Sequence, residues 1–402
     1  MNVLRNPSYI YKGILIVQIM LMIDAAFRLF NLETSQSLSL IRYIFYFLGV
    51  YWLFRGIKND RQSIPIVYRL FLFWVAYLII TALPELFNPF QNYVCFKSFI
   101  SGKLFIYFLP FLICADLDAN LFKSIFKLSY YMVLAYLILA IPFYVSDSTF
   151  LTRGMSEHLT FLVEGTILIL MTLPYQNRKT IVVVTIAVIV AIVIMMLLAR
   201  RNKVVYYGGG LGLAIILNVL KGKLGIGYKL LIVIMTFMGL TFIFNSGNLF
   251  GTFFKRVGTG MSSRELVIDD FYKDFNRTPN DWIYGRGLFG EFDAGFLNNK
   301  KTGLRDAIEN GYLQHILKGG WIWLGLFILV SIKSIYQGLF HSDNILVKGC
   351  ALFLLLYFVD MIGFGVPVSS LKYIMIFLSI SVCSSMKWRS YTDEELQDIL
   401  NL

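Results

Sequence analysis

Long apolar runs, separated by short polar stretches, dominate the chain. About 20 apolar residues cross the hydrocarbon core of a bilayer. Runs of that kind fall at 13–30, 38–54, 66–83, 99–115, 128–145, 158–173, 181–198, 204–220, 229–244, 316–336, 345–363 and 368–385. The pattern predicts an all-α integral membrane protein with about twelve transmembrane helices. The rhythm breaks at 245–312, by far the longest hydrophilic stretch. There, Ser262 or Ser263 can cap a helix over 264–275, with Glu265, Asp269 and Asp270 early in it, where the helix dipole favours acids. Pro279, Gly285, Gly287 and Gly290 then turn the chain. A second short helix, over 306–318, is expected to carry Asp306, Glu309 and Asn310 towards the membrane surface. The chain thus divides into nine spans (1–244), a large partly helical extracytoplasmic loop (245–312), three spans (313–386) and a short cytoplasmic tail (387–402). In the tail, Thr392-Asp393-Glu394-Glu395 reads as a capping box before Leu396, Ile399 and Leu400. It predicts a helix lying on the membrane or on a partner.

Composition supports the same class. Apolar residues make up 57% and charged residues 15%, against roughly 25% charged in a typical globular protein, and mean hydropathy is +0.69. These values exclude a soluble multidomain enzyme and intrinsic disorder. A net charge of +12 would suggest nucleic acid in a soluble protein. In a membrane protein, Lys and Arg collect in cytoplasmic loops and set orientation, so no nucleic-acid partner is expected. With a cytoplasmic N-terminus, inner segments carry Arg5, Lys12, Arg55, Lys58, Arg61, Lys123, Lys127, Arg178, Lys179, Lys221, Lys223, Lys387 and Arg389. Short outer loops carry Lys97, Arg153, Arg200, Arg201 and Lys203. Both termini are then cytoplasmic, and one small basic loop, 200–203, faces the wrong way. Such a loop suggests an anion site; a miscounted span would place it inside instead. Cys95, Cys114, Cys350 and Cys383 lack C-x-x-C spacing and read as small hydrophobes. With His158, His315 and His341 as the histidines, no metal centre or cofactor is expected.

Gly285, Gly287 and Gly290 match G-x-G-x-x-G by letters, but no strand precedes them, so a dinucleotide site is not expected. They predict a loop whose backbone comes close to a ligand or a helix end. The order of features around them carries a resemblance. Arg264 opens an amphipathic helix with Phe271 and Phe275, followed by Pro279, the Gly285-x-Gly287 turn and Phe292. Then come Glu309-Asn310-Gly311-Tyr312-Leu313-Gln314, Leu317, Gly319-Gly320 and an apolar span. Together with the Arg200–Arg201 pair, this resembles the outer loop of the O-antigen polymerase (Wzy) and O-antigen ligase superfamily, over roughly 199–329. Ligases usually show His-Asn where this chain has Glu309-Asn310, which favours the polymerase branch and puts the role of position 309 in doubt.

The resemblance implies a glycosyltransferase of the bacterial cytoplasmic membrane. It would join undecaprenyl-pyrophosphate-linked repeat units into O-antigen, capsule or exopolysaccharide at the outer face, with inversion. A flippase and a chain-length regulator would be its partners, besides the lipid bilayer. A pyrophosphate leaving group calls for arginines, and Arg200, Arg201, Arg264, Arg286 and Arg305 lie on that side. Each could equally be a solvated or carbonyl-capping side chain. The attacking hydroxyl calls for a base, for which Glu309 or Asp306 is expected, with Asn310 beside them. Within the spans, Asp24 and Arg28 are placed to pair, and Arg42 and Lys103 to snorkel. Glu164 and Asp360 lack local partners. They are secondary site candidates, Asp360 as a partner for a site arginine, because a charge in the membrane costs roughly 2.5–3.5 kcal/mol. Trp282, Trp321 and Trp323 could stack on sugars or form an interfacial belt. Two other functions compete: a ligase-like glycan transferase, and a lipid-linked oligosaccharide flippase. No internal repeat is visible, and the flippase reading is disfavoured by the large outer loop and the scarcity of charges expected within the membrane.

Overall fold

The computed structural model describes residues 8–29, 36–57, 64–87, 103–115, 117–145, 159–197, 200–222, 263–295, 304–363 and 367–400. The expected span 229–244, and the loop residues 245–262 and 296–303, lie outside them. The described residues are mostly helical and contain no strand; one isolated bridge joins Phe292 to Arg305.

Helices α1 (Ser8–Leu29) and α2 (Gln36–Gly56) form a tight hairpin. They approach at glycines: a Cβ on Gly13 would sit 2.7 Å from the Gly49 carbonyl oxygen. Small residues at such crossings let backbones meet where no hydrophobic effect drives them together. Helix α3 (Ile66–Phe87) follows, with Pro84 inside its last turn. The expected fourth span is split into α4 (Lys103–Phe108) and a 3₁₀ stretch, Leu109–Cys114. Pro110 lacks the N–H that an α-helix would use there. Helix α5 (Ala119–Val145) is regular.

The sixth apolar run, 158–173, does not form a crossing helix. It breaks into a 3₁₀ turn (Glu164–Thr166), α6 (Ile167–Met171) and a second 3₁₀ turn (Leu173–Tyr175). Leu159 to Leu173 are all buried. Irregular backbone at that depth is tolerated because protein, not lipid, surrounds it. Packing against other helices, rather than exposure to lipid, accounts for its apolar sequence. Helices α7 (Arg178–Leu197) and α8 (Arg201–Leu220) lead to the polar segment with α9 (Ser263–Phe275) and α10 (Pro279–Tyr284). The short helix expected over 306–318 is absent as such. Asp306 to Asn310 are extended or bent, and Asn310 caps a single long helix, α11 (Gly311–Phe340), by accepting from the Leu313 N–H at 3.0 Å. Helices α12 (Ile345–Gly363), α13 (Leu371–Ser384), α14 (Met386–Ser390) and α15 (Asp393–Leu400) complete the chain.

Six described helices, namely α3, α5, α7, α8, α11 and α12, are long and apolar enough to cross a membrane. Stretches within α1, α2, the 105–114 segment and α13 are apolar but shorter. Helix α11 is the central element, packing on α3, α12 and α13, while α8 packs on α6 and α12.

The bundle has two distinct ends. At one, the Asn202 amide donates to the Gly363 carbonyl (2.5 Å) and the Asn310 amide to Ile362 (3.3 Å), so the starts of α8 and α11 meet the end of α12. At the other, Lys221 donates to the Asp343 carbonyl (2.6 Å), Asn344 to those of Trp388 and Tyr391, and Tyr175 to Asp393 (2.5 Å). The capping box forms: Thr392 N–H to Glu395, and Glu395 N–H to Thr392. The tail helix α15 packs on the protein itself, against α5: Leu396 and Leu400 are fully buried, while Ile399 is exposed.

Candidate functional site

The polar unit is a small aromatic core set on the kink of α11. Phe271 and Phe275 on one face of α9 pack with Trp282 of α10 and with Phe292. Arg286 threads this core. It donates to Asp274 (2.5 Å), Asp281 (2.6 Å), the Glu291 carbonyl (2.8 Å) and the Thr278 hydroxyl (3.3 Å), and lies over the Phe275 ring. Burial opposes its charge, but hydrogen bonds to Asp274 and Asp281 outweigh that and raise its pKa. All three guanidinium nitrogens are engaged, so Arg286 holds the unit together in this structure. Arg305 is similarly occupied. Its backbone pairs with Phe292 in both directions, and its Nε donates to the Ala307 carbonyl at 2.7 Å.

The glycine turn does approach a helix. At Gly320 (φ 68°) the backbone of α11 leaves the helix for one residue. The freed carbonyls find donors: Arg286 N–H reaches Leu317 (2.8 Å) and Trp74 Nε1 reaches Gly319 (3.1 Å). Gly285 (φ 73°) lies against this break, and a Cβ there would be 2.6 Å from the Gly319 and Gly320 nitrogens. Lys318 completes the attachment, donating to the Gly290 carbonyl at 2.8 Å.

Beneath the unit is a cavity of about 40 Å³, lined by Tyr107, Leu288, Asp306, Gln314, His315, Lys318, Trp323 and Tyr373 among others. That volume admits water, not a sugar ring, so a glycan would have to open it. Gln314 accepts from the Ile308 N–H (2.9 Å) and so holds the Asp306 segment over the cavity. His315 is buried. Its Nδ1 is 2.7 Å from the Gly311 carbonyl, which can only accept, so Nδ1 carries a proton. Its Nε2 has no partner among the described residues. In the neutral ring that atom offers a lone pair, the requirement for a proton acceptor. In the sequence His315 is a lone histidine without metal-ligand spacing; its i, i+3 spacing from Lys318 is the one local signal of a shared face.

Asp306 therefore joins His315 and Lys318, while Glu309 and Asn310 sit on the adjoining segment. Arg200 is the N-cap residue of α8, and Arg201, exposed, opens that helix. Both lie at the bundle end where Asn202 and Asn310 bind neighbouring carbonyls of α12. Arg264 stands at the start of α9, and its side chain lies outside what is described, as do those of Asp24, Arg28, Arg42 and Lys103.

About one helical turn inside the same end lies a buried charge network. Lys203 of α8 pairs with Glu164, and Lys372 of α13 lies 2.9 Å from both Glu164 and Asp360 of α12. Glu164 is 0% exposed and Lys372 1%. Asp360 pairs with Lys372 and, among the described residues, not with an arginine of the polar segment, and Glu164 faces neighbouring helices. The expectation of few charges within the membrane fails here. Lys372 has no signature in the sequence, because it lies inside an apolar run and its partners come from other elements. Trp282 and Trp321 stack on each other, and Trp323 is buried beside His315. Among the described residues, no cluster of His, Cys, Asp and Glu could hold a metal.

No protein-family model, characterised protein or solved structure matches the chain.

Proposed function

We propose that the chain is a polysaccharide polymerase, an inverting glycosyltransferase acting on polyprenyl-pyrophosphate-linked repeat units at the outer face of a bacterial cytoplasmic membrane. The observation that carries this reading is the gathering at one bundle end of Arg200, Arg201, Glu309 and the Asp306–His315–Lys318 cavity beneath a folded polar unit. In the reaction, an acceptor hydroxyl attacks the anomeric carbon. The bond to the pyrophosphate oxygen breaks with its electron pair, and the hydroxyl proton passes to a base. Arg200 and Arg201 suit the leaving pyrophosphate, since guanidinium matches its charge and geometry. Asp306 and Glu309 are the carboxylate candidates for the base, and His315 Nε2 joins them. Twelve crossings with both termini cytoplasmic belong to the same proposal; they require the four shorter apolar helices to cross, the 158–173 segment to do so as a broken one, and the 229–244 run, outside the described residues, to supply the twelfth.

One observation favours a second reading, a transporter of lipid-linked glycan. The Glu164–Lys203–Lys372–Asp360 network sits on a broken segment inside the bundle, an arrangement that transporters use. A single experiment separates the two. Purified protein in liposomes is given a fluorescent lipid-linked repeat unit, and both chain growth on a gel and transfer between leaflets are followed. Laddering supports the polymerase; transfer without laddering supports the transporter.

A further inference from the structure

At the bundle end opposite the polar unit lies a second cleft, of about 500 Å³. That is within the ~300–1,000 Å³ range of small-ligand sites. Lys221 closes α8 on one side of it. The α11–α12 turn contributes His341, Ser342 and Asp343, and the tail contributes Arg389 and Glu394. The inner wall donates. Ser342 is 7% exposed, yet its hydroxyl has no hydrogen-bond partner among the described residues, and neither has the buried Nε of Arg389. Buried polar groups are almost always satisfied, so these two donors call for an acceptor that the described residues do not supply. Lys221 adds a cation beside them, its Nζ 2.6 Å from the Asp343 carbonyl.

The rim is acidic. Asp343 is in solvent, 3.6 Å from Lys348, and Glu394 is exposed. Asp393, the third carboxylate of the lining, is turned inwards, accepting from Tyr175 and from the Ile345 N–H (2.7 Å). A ligand that fits this wall presents an anion to the depth and a cation to the mouth.

An exposed apolar track leads to the mouth. Leu329, Ile332, Tyr336 and Phe340 are exposed along one face of α11, and Phe340 itself lines the cleft. Their spacing follows the helical repeat. On α8, Ile216, Val219 and Leu220 are likewise exposed just before Lys221.

We propose that this cleft binds the headgroup of a zwitterionic, primary-amine phospholipid, of the phosphatidylethanolamine class. Its phosphate lies on Arg389, Ser342 and Lys221, its ammonium on the Asp343–Glu394 rim, and its acyl chains along the α11 track. A choline headgroup has no N–H to donate to the rim, and a glycerol headgroup brings no cation. The site is independent of the polymerase reading and stands or falls separately from it.

Native mass spectrometry of the full-length protein, after exchange into equal amounts of phosphatidylethanolamine, phosphatidylcholine and phosphatidylglycerol, tests it. Phosphatidylethanolamine is retained preferentially. Arg389→Gln lowers its retention about tenfold, the scale of one charge-assisted hydrogen bond. Ser342→Ala, too small a change to unfold the turn, lowers it less. Lys387→Gln removes the same charge from an exposed neighbour outside the cleft and changes nothing. Equal retention of the three lipids, or retention indifferent to both Arg389→Gln and Ser342→Ala, overturns the proposal. So does displacement of the lipid by equimolar free phosphoethanolamine, which would make the ligand a soluble phosphate compound.

Discussion

Arg286 illustrates how a residue's surroundings decide between binding and building. Four acceptors, Asp274, Asp281, the Glu291 carbonyl and the Thr278 hydroxyl, surround one planar fork, with a phenylalanine beneath it. Lysine has neither the planarity nor the donor count to replace it. Arg286→Lys and Arg286→Ala should both loosen the polar unit, by roughly 2 kcal/mol for a lost charge-assisted pair. Limited proteolysis between α9 and α11 reads this directly; unchanged cleavage would show that the cluster adds nothing to stability. Residue identities were legible in the sequence, but their partners were not. Arg286 and Arg200 look alike as outer arginines, and contacts twelve residues away separate their roles. Glu164, Asp360 and Lys372 were harder still, because a lone charge inside an apolar run acquires meaning from a helix far away in sequence.

Elements were legible to different degrees, for identifiable reasons. The span at 345–363 agrees with α12 at both ends, and α9 starts within a residue of its expected position, because periodicity and capping are local. The 158–173 run failed because hydrophobicity cannot distinguish lipid from protein as the surrounding medium. The 306–318 helix failed at its start because pairing of Arg305 with Phe292 and of Ile308 with Gln314 holds 305–308 out of a helix, so the cap falls at Asn310 and the helix runs on into the next span. The junction between elements turns on Gly320, where an added Cβ would lie 2.0 Å from the Ile283 carbonyl oxygen. Gly320→Ala should therefore unseat the polar unit at a cost above the ~1–3 kcal/mol of a strained backbone alone. The readout is protease sensitivity of 263–295 with the bundle intact. The tail helix makes a pH prediction. Burial, then the Asp393 hydrogen bond and charge, raise the Tyr175 pKa above its ordinary 10.0. The neutral phenol is thus favoured in the folded state. Its contribution is fully present below pH 10 and is lost as pH rises through the higher folded value. Tyr175→Phe should loosen the tail helix at neutral pH by about 1 kcal/mol, and wild type should loosen to the same extent only in strong alkali, as measured by cleavage within 393–400. Release of the wild-type tail near pH 8 would contradict this.

For the whole molecule, the claim is one of sidedness. The polar unit, Arg200 and Arg201 share one end of the bundle, and the tail helix with Lys221 and Arg389 occupies the other. In a background with Cys95, Cys114, Cys350 and Cys383 replaced, Lys273→Cys, on the exposed face of α9, should react with an impermeant thiol reagent in intact cells, and Asp398→Cys only after permeabilisation. The opposite result would invert the molecule and remove the leaving-group role of the arginines. The central claim is tested most directly by chain growth: purified protein at matched levels, a lipid-linked repeat unit, and a gel. Wild type should give a ladder of products. His315→Gln or Glu309→Gln, and at least one of Arg200→Lys and Arg201→Lys, should lose most of it, on the order of a hundredfold or more for a base, while Arg153→Ala keeps it. A full ladder from all four site variants, or none from wild type, would contradict the account.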